Sequence, residues 1–259
     1  MRKIITLTIF IFFLKSGFSQ NSDIDSLSIQ LAFQNADTLK VNTSIKLIEK
    51  LYEINDFDRA LKYIIESEKL SYTLDYKKGI GEITYYKALI YAQKNDYINA
   101  INNYTKSKDI FNQLKDTLGV AKVNNSIGLI EIKRGNYTKG LQYSLSAIKE
   151  LEKRHLKKEL LLAYSNLAKA YYSIKEYDKS IEFYLKALEA QQQLNDKKGV
   201  DISNSRLAEL YSMKKEHRKS IDYYEKVLAN NPTNNDSIQS VIYPKLGGEY
   251  LQFNDYDNA

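Results

Sequence analysis

The sequence contains no cysteine and no tryptophan, only two histidines (His155 and His217), two prolines (Pro232 and Pro244) and ten glycines in 259 residues. Without cysteine there is no disulfide, no thiolate metal site and no cysteine nucleophile. Two histidines are too few for a histidine-rich metal centre. Scarce proline and glycine leave few helix breakers, so long helices are expected. What is present is ordinary for a folded protein, 43% hydrophobic and 27% charged residues, with an unusual 22 tyrosines.

The formal charge of +6 is inflated by the N-terminus. Arg2 and Lys3 precede an apolar run from Ile4 to Leu14, and Gly17-Phe18-Ser19 supplies small residues at cleavage spacing. That is the layout of a secretory signal peptide over residues 1–19, and the run is short for a permanent membrane span. Removing Arg2, Lys3 and Lys15 with it leaves a net of +3. A mildly basic, exported chain is a poor nucleic-acid partner. Export to the periplasm or envelope is the expectation. Membrane attachment is expected only if the leader stays uncleaved or the chain continues.

Self-comparison reveals a 40-residue period. Asn55-Asp56-Phe57-Asp58-Arg59-Ala60 recurs as Asn95-Asp96-Tyr97-Ile98-Asn99-Ala100 and as Gly135-Asn136-Tyr137-Thr138-Lys139-Gly140. It recurs again as Lys175-Glu176-Tyr177-Asp178-Lys179-Ser180 and as Lys215-Glu216-His217-Arg218-Lys219-Ser220. With slot 1 set at Val41, Gly81, Ala121, Leu161 and Asp201, slot 8 holds Ile48, Ala88, Gly128, Ala168 and Ala208. Slot 20 holds Ala60, Ala100, Gly140, Ser180 and Ser220. Aromatic residues dominate slots 11, 17 and 24. Spacings of three and four place each set on one helical face, and small residues let two helix axes approach. The polar break at slots 14–16 admits only a tight turn between helices.

These residues resemble the tetratricopeptide repeat, in a 40-residue variety rather than the common 34. The resemblance covers residues 41–259. It implies an all-α, right-handed superhelical solenoid of antiparallel helix pairs. Five repeats are expected at 41–80, 81–120, 121–160, 161–200 and 201–239, with a truncated sixth at 240–259. Ile24, Leu27, Leu31 and Ala32 lie at helical spacing, so residues 20–40 are read as a capping helix and linker. A second recurring string, Asp75-Tyr76-Lys77-Lys78-Gly79 with relatives at 115–119 and 195–199, marks the joints between repeats.

No chemistry-bearing motif survives inspection. Gly79-Ile80-Gly81 lacks the third glycine and the preceding strand of a dinucleotide site, and Gly135 to Gly140 is followed by Leu141-Gln142 where a phosphate loop needs Lys and Ser or Thr. No catalytic residue, metal or cofactor is expected. His217 occupies an aromatic slot, which packing explains. The resemblance instead implies a concave groove lined by the first helices, at slots 2, 5, 9 and 12. Tyr85, Leu89, Asn125, Leu129, Ile132, Leu162, Lys169 and Tyr172 are the residues expected to receive a protein or peptide segment. Asn42, Ile45, Glu49, Tyr52, Glu82, Ala92, Lys122, Ser165, Ile202, Ser205, Glu209 and Ser212 hold the remaining slots of this kind. The family's clamp for chaperone tails is not matched: Asp201 stands where a Lys is needed and Leu129 where an Asn is needed. Two functions are expected to compete. One is a non-enzymatic binding scaffold outside the cytoplasm. The other is the sensory part of a membrane-bound histidine kinase or regulator whose output domain lies beyond residue 259.

Overall fold

A computed structural model describes residues 22–230 and 236–253. The expected leader (1–19), the loop segment 231–235 and the Asn254-Asp255-Tyr256 turn of the sixth repeat lie outside these residues. Among the described residues the chain is all-helical. Helix α1 spans 22–33. It is followed by α2 (Thr38–Glu53), α3 (Phe57–Thr73), α4 (Lys77–Gln93), α5 (Tyr97–Gln113) and α6 (Thr117–Lys133). Then come α7 (Tyr137–Lys153), α8 (Lys157–Ser173), α9 (Tyr177–Gln193), α10 (Lys197–Met213), α11 (His217–Asn230) and α12 (Asp236–Gln252).

The helices from α3 to α11 begin every 20 residues, so the 40-residue repeat is two equal halves. Each full helix has 17 residues, about 25 Å of rise. The joints explain the regularity. Left-handed backbone occurs at Asn55, Asp75, Asn95, Lys115, Gly135, His155, Lys175, Asn195 and Lys215. At each joint the next N–H donates back to the carbonyl five residues earlier, as Asp56 does to Leu51, at 2.8–3.2 Å. The left-handed residue itself donates to the carbonyl three residues back, as Asn55 does to Tyr52. This pair of bonds is the Schellman motif, which satisfies the orphan carbonyls of a helix end. The following helix is often capped by Asp: Asp56, Asp96, Asp116 and Asp196 accept from the N–H three residues on.

The phase of the repeats differs from the sequence expectation. Boundaries at 80/81, 120/121, 160/161 and 200/201 fall inside α4, α6, α8 and α10. Helix pairs start about four residues earlier, because an alignment of equivalent slots fixes a period and leaves its origin free.

The chain divides into two compact units, residues up to Val123 and residues from Asn124. In the first, α2 packs on α3, α3 on α4 and α4 on α5, with α2 also meeting α4. Its core includes Val41, Leu47, Ile48, Leu51, Ala60, Ile64, Ile83 and Ile90, and α1 contributes Ile24 and Leu31. Ala32, expected on that apolar face, is exposed. In the second unit, α7 to α12 each pack on the next. The small slots sit at the closest approaches. Ala168 and Ala208 are fully buried, and the Ser180 hydroxyl donates to the Ala168 carbonyl at 2.8 Å, joining slot 20 to slot 8 across two helices. Where slots 8 and 20 are Gly128 and Gly140, a Cβ on Gly140 would stand 3.0 Å from the Gly128 carbonyl oxygen.

Candidate functional site

In the first unit, successive first helices build a cleft of about 500 Å³ over α2, α4 and the first turns of α6. Asn42, Ile45 and Glu49 line it from α2, Glu82 and Tyr85 from α4, and Lys122 from α6. All six hold the slots read as groove-facing. Tyr76, Tyr86 and Phe111 add rings. A run of ring contacts, Phe57–Tyr52–Tyr86–Tyr85–Tyr104, spaces centroids 5.7–6.5 Å apart. The Tyr76 hydroxyl donates to Asn42 Oδ1 at 2.9 Å. Tyr85 is therefore a half-buried packing residue as well as a wall of the cleft.

Charge in this cleft is crowded. Burial pushes the Glu82 carboxyl above its usual range; Lys78 and Lys122 oppose the shift, and Asp116 and Glu49 add to it. Burial also pushes the Tyr86 phenol well up, and the nearby Glu49 carboxylate adds to that. Glu82 thus faces the cleft with its charged form disfavoured.

In the second unit a cleft of about 410 Å³ lies between α10 and α12, with Val227 of α11 at its base. Ile202 and Val241 line it and are exposed, beside Ile238 and Ile242. Arg206 Nη1 donates to Glu209 Oε2 at 2.7 Å, and Lys245 Nζ to Glu209 Oε1 at 2.6 Å. Burial alone would raise the Glu209 carboxyl, but these two bonds win and hold it below the usual range. Burial pushes the Tyr184 phenol up to about 12. Lys169 is an exposed residue whose amine is nevertheless pushed down, chiefly by desolvation and then by Arg206 and Lys133.

The other expected groove residues are dispersed. Asn125 and Ile132 are buried, 3% and 8% exposed, and line neither first-helix cleft. Asn125 Oδ1 instead receives a long 3.5 Å bond from Asn166 Nδ2. Leu89, Leu129 and Tyr172 are half-buried, with Tyr172 against Tyr177 at 6.3 Å. Leu162 is exposed. The apolar floor expected around Leu129, Ile132 and Leu162 is matched more closely by Ile202 and Val241. Ile202 held a groove slot; Val241 sits in the sixth repeat, where two glycines and Pro244 blur the pattern.

His217 Nδ1 lies 2.8 Å from Glu249 Oε2, tying α11 to α12. His155 supplies a left-handed joint. Among the described residues no cluster of three or more His, Asp or Glu side chains is placed to hold a metal ion, and no helix is long and apolar enough to cross a membrane.

Residues 159–232 match the sequence profile of the tetratricopeptide repeat. None of the curated proteins compared with the chain matches it. Solved structures do share its fold. A signal transduction ATPase with numerous domains and a tetratricopeptide repeat sensor, from Pyrococcus horikoshii, superposes with a TM-score of 0.72 at 18% identity, over 91% of this chain and 37% of that one. The chain thus spans little more than a third of that protein. PilF of Pseudomonas aeruginosa gives 0.63 at 15% identity, over 85% of this chain and 86% of that one. Aspartyl phosphate phosphatase F of Bacillus subtilis gives 0.61 at 16% identity, over 90% and 68%. At these identities the likeness is one of fold.

Proposed function

We propose that this tetratricopeptide-repeat protein is a non-enzymatic scaffold that holds a protein or peptide segment against the first helices of its repeats, outside the cytoplasm. One observation carries the reading: each unit presents a cleft on its first helices, with aromatic or exposed aliphatic walls and a charged rim. Aromatic and aliphatic anchors inside a polar rim are the anatomy of a protein-binding surface. The leader-like sequence of residues 1–19 supports the extracytoplasmic setting. The test is site-specific photo-crosslinking. A crosslinker in place of Ile202 is expected to trap a partner from an envelope extract, and one in place of the exposed Ile98 is not. Ile202→Asp with Val241→Asp should reduce capture by a crosslinker at Ser205 while leaving the helical circular dichroism unchanged. Equal capture at Ile202 and Ile98 would sink the reading.

A second reading is supported by the archaeal ATPase whose repeats are described as a sensor. In it, these repeats are the ligand-binding part of a membrane-bound signalling protein, and the output domain follows residue 259. Sequencing the gene downstream decides between them: a stop codon soon after the sixth repeat favours the free scaffold.

A further inference from the structure

A different face of the second unit carries a cleft that the first-helix reading does not use. It lies between the C-terminal halves of α9 and α11 and the first turns of α10, and holds about 660 Å³. Two of its lining side chains, Gln191 and Asn204, are 6% and 3% exposed, and their amide oxygens have no hydrogen-bond partner among the described residues. Burying an amide unpaired is destabilising, so such groups in a core position call for a reason.

The repeats supply an internal control. The first unit has a corresponding cleft of about 320 Å³ between α1, α2 and α3. Eight of its nine lining residues recur in the larger cleft at a shift of four repeats. There Leu31 stands for Gln191 and Ser44 for Asn204. Its hydroxyls are satisfied within their own helices: Ser28 donates to Ile24 O, Ser44 to Lys40 O and Ser67 to Tyr63 O. The scaffold therefore does not require amides at these positions. Charge changes as well. Glu66 becomes Lys226 and, with Lys197, leaves the larger cleft with two lysines and no acidic side chain.

We propose that the cleft between α9, α10 and α11 is a second binding site, which takes an extended acidic peptide segment. The Gln191 and Asn204 carboxamides pair with its main-chain amides, and Lys197 and Lys226 with its carboxylates. A carboxamide offers one donor and one acceptor side by side, as a main-chain amide does, so the two groups satisfy each other. Both lysines are exposed and neither has a carboxylate partner among the described residues, so each can meet a carboxylate of the ligand. A stacked sugar is disfavoured because the Tyr223 ring is already engaged, by Tyr211 at 5.5 Å and by Lys226 Nζ at 4.2 Å.

The experiment uses the full chain and a labelled pool of acetylated, amidated hexapeptides carrying two Asp residues, against the same pool with Asn for Asp. Fluorescence polarisation is expected to show binding of the Asp pool and at least tenfold weaker binding of the Asn pool. Gln191→Leu with Asn204→Ser installs the first unit's residues. It should lose at least tenfold in affinity and yet melt higher than the parent, because unpaired amides are removed. Ile202→Asp with Val241→Asp should leave this binding unchanged, which separates the site from the first-helix cleft. The proposal is overturned if neither pool binds, if the Asn pool binds equally, if the amide variant binds like the parent, if the first-helix variant weakens binding, or if the amide variant melts lower.

Discussion

The first-helix cleft of the first unit is aromatic and that of the second is aliphatic. Around Tyr76, Tyr85, Tyr86 and Phe111 three carboxyl side chains, Glu49, Glu82 and Asp116, meet three lysines. Around Ile202, Val241 and Ile242 stand two carboxylates, Asp201 and Glu209, and Glu209 is clasped by Arg206 and Lys245. Equivalent slots on equivalent helices thus carry different chemistry. The fold depends on the residues between helices, at slots 8, 11, 20 and 24, and these leave the cleft residues free to differ. The strongest tests of this comparison perturb the shared interior, and the weakest perturb the surfaces that differ.

The largest effect is expected where the interior itself differs. Slots 8 and 20 are Ile48 and Ala60 in the first repeat, both fully buried, and Gly128 and Gly140 in the third, within the second unit. A Cβ on Gly140 would meet Ile132 Cγ1 at 2.5 Å and the Gly128 carbonyl oxygen at 3.0 Å, and the backbone oxygen cannot rotate away. Gly140→Val should therefore cost about 3 kcal/mol by overpacking, read as a shift in the urea midpoint. An unchanged midpoint would mean that α6 and α7 are not held so closely.

Next comes slot 11, where the first repeat has the buried Leu51 and the third has Glu131, 1% exposed. Burial alone would raise the Glu131 carboxyl. Bonds from Lys139 Nζ at 2.8 Å and Asn136 Nδ2 at 2.7 Å, with Arg134 nearby, hold it below the usual range instead. A carboxyl depressed in the fold contributes stability that is present above its unfolded pKa and is lost as pH falls through its folded value. Glu131→Gln should cost about 2 kcal/mol at pH 7, the scale of a charged hydrogen bond. The difference from the parent should shrink on acidification below about pH 4. A penalty independent of pH would show that the carboxylate charge is not what the pocket holds.

The fold was legible because its signal is redundant: small and aromatic residues recur at fixed spacing, and one exception such as Glu131 does not hide the period. The 20-residue half-period was less visible. Its joints need a left-handed residue, yet of nine only Gly135 is the residue that conformation favours most. Lys115, Lys175, Lys215 and His155 read as ordinary surface charge. The candidate site was legible only in part. Asn42, Glu82, Tyr85 and Lys122 line a cleft as their slots implied, whereas Asn125 and Ile132 turn inward. A small rotation of a helix decides between cleft and neighbour, and slot spacing does not resolve it. Gln191 and Asn204 carried a signal that was missed: amides at positions where the first unit has Leu31 and Ser44.

The smallest effects should come from the strained charges at groove slots, and there the two units predict mirror images. In the first, burial raises Glu82, so its charge costs the fold something above its folded pKa, and the cost is relieved as pH falls. In the second, desolvation, Arg206 and Lys133 lower Lys169, so its charge costs something below its folded pKa, relieved as pH rises. Glu82→Gln and Lys169→Met should each stabilise the protein at pH 7 by a few tenths of a kcal/mol, about the size of a substitution near the surface. The advantage of Glu82→Gln should fade toward pH 4.5, and that of Lys169→Met toward pH 10. Urea titrations of parent and variants at pH 4.5, 7 and 10 read both slopes. A strained charge that folding would do better without is what a binding surface keeps for its partner, so Glu82→Gln should also weaken capture at the first unit's cleft. If either variant destabilises the chain at pH 7, that charge is paired within the fold, and the contrast between the two units loses that half of its electrostatic basis.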